Sequence, residues 1–223
     1  YVVETNKMNT SDKKLIVASS HPKSSKHINW INKIEDLPNF LSFVVVATNS
    51  SARFEVLSKL LKHKTIECMV LEKILFNKIE QYEIAKKLLN NSNTKCYVNF
   101  PLRLWPIFEK IKKTVNFTNI DFVEVYSPGE DIGCNGIHFI DLMSFWTNTE
   151  SFNSYNFEIC NAIPAKRDGY LEIKGKWKGH FISKFGKHDL LLNFQSGKFN
   201  GIHIFFYSKG MKRLQRILNL CSG

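Results

Sequence analysis

The run CMVLEKILF, residues 68–76, is apolar except where Glu72 and Lys73 interrupt it. A carboxylate and an ammonium at the carboxyl end of a buried strand can bind a polar ligand or handle a proton. Open parallel sheets hold their ligands just beyond the carboxyl ends of their strands. The alternative is a strand that has simply reached water, and position alone leaves both open. A second set lies in GCNGIHFIDL, residues 133–142. Cys134, His138 and Asp141 are spaced by four and then three, which puts thiol, imidazole and carboxylate on one stripe of a helix that begins that early. The alternative there is a capped helix with a satisfied histidine. Nothing near Cys134 in sequence is of a kind that activates a thiol, so a nucleophilic or redox role is not expected. Between the two sets, VNFPLR (98–103) carries Asn99 and Arg103. A guanidinium fork can orient a polar or anionic substrate, or sit in an ordinary ion pair at a domain boundary.

Strands and helices must carry these groups. In the first half, apolar runs alternate with helical patterns. YVVE (1–4) reads as a strand and KLIVASS (14–20) as a second apolar run; HINWINKIEDLPNF (27–40) reads as a turn and short helix. SFVVVATN (42–49) is a buried, β-branched strand. SARFEVLSKLLKH (51–63) is a helix with Phe54, Leu57, Leu60 and Leu61 on one face and Ser50 or Ser51 as its N-cap. A strand (66–73), a helix (78–91) and a strand (95–100) follow. Such alternation predicts parallel βαβ units, whose strands are covered on both faces and therefore read as continuous apolar runs.

After residue 100 the pattern changes to a helix (104–115), a strand (120–127) and a helix (136–147). From about 155 onward apolar and polar residues alternate, with Gly175, Gly179, Gly186, Gly197 and Gly201 near the turns or bulges. The tail MKRLQRILNL (211–220) suggests a short basic amphipathic helix. The fold class expected is α/β. A partial Rossmann domain with a parallel sheet spans 1–100, and an α+β domain with an open antiparallel sheet spans 101–223.

Bulk properties narrow the classes. Hydrophobic residues make up 43% of the 223, enough for a sizeable core, and no apolar run approaches the length of about 18 residues that a membrane span needs. Cys68, Cys96, Cys134, Cys160 and Cys221 lack CxxC spacing and the seven histidines do not cluster. Neither a metal site nor a disulfide framework is expected, and a reducing cytoplasm is. The net charge of +11 comes from lysines spread along the chain with no arginine cluster among aromatics. That argues against nucleic acid and suits an anionic substrate or cofactor.

Four pieces in order, ATNSSARFEV, LEKILF, VNFPLR and GCNGIHFIDL, together resemble the glucose-fructose oxidoreductase / inositol dehydrogenase (Gfo/Idh/MocA) family. The resemblance covers most of residues 1–147 and is architectural after that. It implies an NAD-dependent oxidoreductase that moves hydride between nicotinamide and a hydroxyl of a sugar, nucleotide-sugar or cyclitol, with surface polysaccharide biosynthesis as one context. By resemblance, the turn Ala47-Thr48-Asn49 touches the dinucleotide. The family's helix here often bears a histidine where this chain has Arg53. Glu72-Lys73-Ile74 stands for the family's Glu-Lys-Pro, so Lys73 would meet both substrate hydroxyl and nicotinamide. A partly desolvated ammonium there stabilises a developing alkoxide. Asn99 and Arg103 would bind substrate. His138 would exchange a proton with the hydroxyl, with Asp141 setting its tautomer or binding substrate. Cys134 occupies the place of a family aspartate, and a thiol is the weaker partner for an imidazole.

The family holds its cofactor pyrophosphate on a glycine-rich turn after the first strand. None of the eleven glycines here precedes Gly129. By resemblance YVVE is the family's second strand, and Glu4 the acid that binds the adenosine ribose and favours NAD over NADP. The chain as given would then begin after the first strand and phosphate loop, and alone would bind NAD weakly or not at all. The resemblance also implies a homo-oligomer packed through the C-terminal sheet. The alternative is a catalytically inactive relative acting as an interaction or oligomerisation module.

Overall fold

In the computed structural model, which describes residues 2–5, 15–18, 28–149, 151–166, 169–195, 201–208 and 214–220, the chain divides into two units, Tyr1–Asn99 and Phe100–Gly223. Each is built on a six-stranded sheet.

The first sheet has the order β3-β2-β1-β4-β5-β6, with β1 Val2–Thr5, β2 Leu15–Ala18, β3 Ile28–Ile31, β4 Phe40–Val46, β5 Thr65–Leu71 and β6 Lys95–Val98. Strands β4, β5 and β6 are parallel and joined by helices α1 (Ser50–His63) and α2 (Ile79–Asn90). Leu41, Val44, Val46, Met69 and Leu71 are buried in the sheet, as a covered parallel layer requires. Leu57 and Leu60 of α1 are fully buried against it, with Phe54 and Leu61 partly so. The N-cap of α1 is Asn49, not Ser50 or Ser51. Its side chain accepts from the Ala52 amide at 3.0 Å, and Ser51 merely donates to Asn49 at 2.9 Å. Where a turn and short helix were expected, residues 28–40 form β3, a single 3-10 turn, Ile34–Asp36, and the first residue of β4. Pro38 explains the stop, since the residue before a proline is pushed to extended backbone, and Leu37 has ψ 150°.

Strand β1 departs from expectation. It does not take the place of a second strand. It lies between β2 and β4 and runs antiparallel to both. The central position, expected to be missing, is filled. The facing edges of β2 and β4 carry backbone donors and acceptors that need partners, and a strand of either direction supplies them.

The second sheet has the order β12-β11-β7-β10-β9-β8, with β7 Ile120–Tyr126, β8 Phe152–Pro164, β9 Leu171–Ser183, β10 Gly186–Asn193, β11 Ile202–Ser208 and β12 Leu214–Leu220. It is mixed rather than wholly antiparallel, because β7 and β10 pair in parallel. The tail expected to be helical is β12, paired antiparallel to β11. Of the five glycines placed at turns or bulges, Gly186 and Gly201 stand at strand ends with positive φ, Gly175 and Gly179 lie in β9 opposite the two register shifts of β8, at Ile159/Asn161 and Ser154/Asn156, and Gly197 falls outside the described residues.

Helices α3 (Pro106–Thr114) and α4 (Ile132–Thr147) cover one face of this sheet. Phe108 and Ile111 of α3 join Phe139, Leu142, Met143 and Trp146 of α4 over Val123, Leu190, Leu192, Ile204 and Phe206. On β10, His188, Leu190 and Leu192 point inward while Asp189, Leu191 and Asn193 alternate outward, the period of a one-sided sheet. Helix α4 begins four residues before its expected start. Asp131 caps it, accepting from the Gly133 amide at 2.9 Å and from the β9 amide of Ile173 at 2.9 Å. Two early glycines hid this start from propensity. One of them, Gly136, permits the close approach to the sheet: a Cβ there would stand 3.3 Å from Leu192 and 3.5 Å from Trp177.

Candidate functional site

Three turns line the carboxyl edge of the parallel strands in the first unit. Ala47-Thr48-Asn49 follows β4, Glu72-Lys73-Ile74 follows β5, and Asn99 follows β6. The ladder runs slightly past the strand ends: the Glu72 amide donates to the Val46 carbonyl at 3.1 Å and the Asn99 amide to Leu71 at 2.8 Å. The Asn99 side-chain amide then donates to the Glu72 carboxylate, fixing it at the edge. Glu72 and Lys73 are half-buried, not free in water. Lys73 and Ile74 are joined by a cis peptide. Beneath the turn, Phe76 packs edge-on against Phe54 at 5.6 Å and Tyr82 at 5.1 Å.

Arg53 holds two of these turns together. Its guanidinium donates to the carbonyls of Thr48, Ile74 and Leu75, the last at 3.1 Å. The residue is 2% exposed. Burial pushes its pKa down, while the nearby Glu72 carboxylate and Tyr82 oppose that. From sequence, Arg53 registered only as a departure from a histidine. The signal that was available is an arginine on the inward face of α1, where Leu57 and Leu60 are also buried.

Glu4 lies elsewhere. Val2 stands beside Val46 and Glu4 beside Val44, so β1 runs away from the edge that carries Glu72 and Lys73.

In the second unit, Arg103 and Asp141 are each other's partner. Arg103 Nε donates to Asp141 Oδ2 at 2.9 Å and a terminal nitrogen donates to Oδ1, a two-point pair. The carboxylate side chain is 9% exposed and the guanidinium side chain 39%. Phe145 lies against this pair, with the Arg103 guanidinium 5.7 Å and the Lys112 ammonium 3.9 Å from its ring centre. Asp141 was expected to serve His138 or a substrate; in the structure each of its oxygens accepts one bond from the guanidinium. Arg103, expected to orient substrate, makes this ion pair with part of its side chain exposed. His138 is half-buried with Phe100 edge-on at 5.9 Å, and Cys134, one turn earlier on α4, is exposed.

The geometry matches known architecture. The chain resembles the super-repressor mutant of Gal80p from Saccharomyces cerevisiae at 14% identity and a TM-score of 0.66, covering 82% of this chain and 58% of that one. It resembles a dehydrogenase (MviM) from Clostridium difficile at 18% identity and a TM-score of 0.55, covering 81% and 59%. An oxidoreductase from Sinorhizobium meliloti is similar at 16% identity and a TM-score of 0.59, covering 78% and 51%. The chain has the fold of the glucose-fructose oxidoreductase / inositol dehydrogenase type. At these identities the likeness is one of fold, and the chain spans between 51% and 59% of the length of these three structures. No family model matches the chain, and no curated protein matches it. Among the described residues, no helix is long and apolar enough to cross a membrane.

Proteins of this fold typically bind a nicotinamide dinucleotide. The described residues fit one half of such a ligand. Glu72, fixed by Asn99, and the buried Thr48 hydroxyl, which has no hydrogen-bond partner, are polar groups at this edge. They do not fit the pyrophosphate half. The strand in the central position leads away from this edge, and the described residues offer no cradle of backbone amides there.

Proposed function

We propose that this chain is an NAD-dependent oxidoreductase, or a piece of one, acting on a hydroxyl-bearing carbon of a sugar, nucleotide-sugar or cyclitol. The observation that carries this reading is the edge cluster, Glu72 held by Asn99 and the Lys73 turn held by Arg53, on the oxidoreductase fold. NAD, when bound, supplies the acceptor or donor of hydride. Lys73 offers an ammonium to the oxygen on which negative charge develops. Glu72 accepts hydrogen bonds from ribose or substrate hydroxyls. His138, on the second unit, is the group suited to exchanging a proton near neutral pH. Arg103 and Asp141 act on this reading as one rigid polar unit, not as separate substrate and tautomer groups. The outer face of the second sheet, with Tyr155 and Ile182 each 60% exposed, is the surface through which copies of the chain would associate. A cytoplasmic role in surface polysaccharide synthesis fits this substrate class.

The test is paired. NADH binding and NAD reduction with a panel of sugars and cyclitols are measured on the protein purified from its source cells and on the 223-residue chain. Turnover by the source protein, lost in Lys73→Met, supports the reading. The chain alone is expected to show no micromolar NADH affinity. Failure of the source protein to bind or turn over any dinucleotide overturns the reading. That outcome favours a second one, an interaction module of the same fold, which is supported by the lack of a phosphate cradle among the described residues and, by the family resemblance, by Cys134 where an aspartate is usual. The Saccharomyces cerevisiae super-repressor mutant of like fold is a precedent for a regulatory role on this fold.

A further inference from the structure

Helix α1 turns Glu55 and Lys59 to water, where they pair with each other at 2.9 Å, yet sends Arg53 inward. A buried cation is costly unless it is matched. Arg53 is matched almost wholly by backbone. Three carbonyls from two turns accept from it, and Glu72 provides the nearby opposite charge. These carbonyls lie past the strand ends, where no ladder partner reaches them. Each needs a donor. A planar guanidinium carries five donors in fixed directions and can span two turns at once, which an ammonium on a flexible stem cannot. The Lys73 turn contains no proline to restrain it: its residues are Glu72-Lys73-Ile74-Leu75. What restrains it from one side is the Asn99 bond to Glu72, and from the other the Arg53 bonds to Ile74 and Leu75.

We propose that Arg53 is a positioning residue that sets the aim of Lys73, by tying the carbonyls directly after Lys73 to the carbonyl of Thr48. It meets no substrate itself. The inference rests on Lys73 being the functional group of this edge, but its test does not require turnover.

Lysine amines of the full chain are dimethylated with a carbon-13 label and each resonance is followed by NMR, with Lys59 and Lys113 as controls. In Arg53→Gln the Lys73 resonance is expected to shift and broaden while the controls stay in place. Arg53→Lys keeps the positive charge but loses the fork, so it separates positioning from a change of field. The same displacement of Lys73 is expected there. A folded Arg53→Lys chain with an unmoved Lys73 resonance overturns the proposal, even if Arg53→Gln fails to fold. Failure of the oxidoreductase reading shows itself differently, as an inactive source protein with an unaltered Lys73 response.

Discussion

Two arginines illustrate two ways of holding a loop. Arg53, in the first unit, gives its guanidinium to three main-chain carbonyls and is 2% exposed. Arg103, in the second, gives two bonds to one carboxylate and keeps 39% of its side chain in contact with solvent. The first arrangement fixes backbone, and so fixes whatever side chain that backbone carries. The second fixes a side-chain pair, and a half-exposed pair is worth less because water competes for it. A functional role is therefore better supported beside Arg53 than at Arg103.

The comparison can be broken in several places. The largest effect is expected at the group Arg53 positions. In an active source protein, Lys73→Met should lower kcat by roughly 10²–10⁴-fold, the usual worth of a positioned proton-handling group, with the urea midpoint unchanged. Equal loss of stability and rate would make Lys73 structural. Next, Arg53→Ala strands three carbonyls and should cost about 3 kcal/mol in urea unfolding, since each unsatisfied buried acceptor carries a penalty of that order or less. Arg103→Ala leaves the nearly buried Asp141 carboxylate unpaired. It should cost about 2 kcal/mol, less than Arg53→Ala, because the site opens to water. A larger cost at Arg103 than at Arg53 would reverse the ranking drawn here.

The smallest effect concerns two thiols, one from each unit. Burial pushes the Cys96 thiol up to about 11, with Cys68 adding to the shift, whereas Cys134 is exposed. At pH 8 iodoacetamide should modify Cys134 well before Cys96, read by peptide mass. The protonated Cys96 thiol is favoured by the fold, so its contribution is fully present below the ordinary thiol value. It is lost as pH rises from about 9 to about 11. A Cys96→Ser chain whose unfolding shows the same alkaline loss would place that loss elsewhere.

The run from β4 to β6 was legible in sequence because its signals are local. Val44, Val45 and Val46 make a β-branched strand, Leu57 and Leu60 share a helix face, and Glu72 and Lys73 follow directly on an apolar run. Their place at a carboxyl edge follows from βαβ alternation alone. Local signals also misled. The tail 211–220 looks helical by charge and spacing, but Leu214–Leu220 pairs with β11 because an open strand edge outweighs weak propensity.

What the sequence by itself determined is the order of elements and which residues would stand at the ends of the parallel strands. Only the tertiary structure decided what those residues do to one another. The Asn99 bond to Glu72 joins positions 27 apart, Arg103 and Asp141 are 38 apart, and Arg53 reaches Ile74 across 21. The place of β1 between β2 and β4 was likewise decided by the open edges of those two strands, not by its four residues. The physical reason is common to all. Periodicity reports which face of an element is apolar, whereas a buried charge or an open strand edge is satisfied by whatever partner the packed chain brings within about 3 Å.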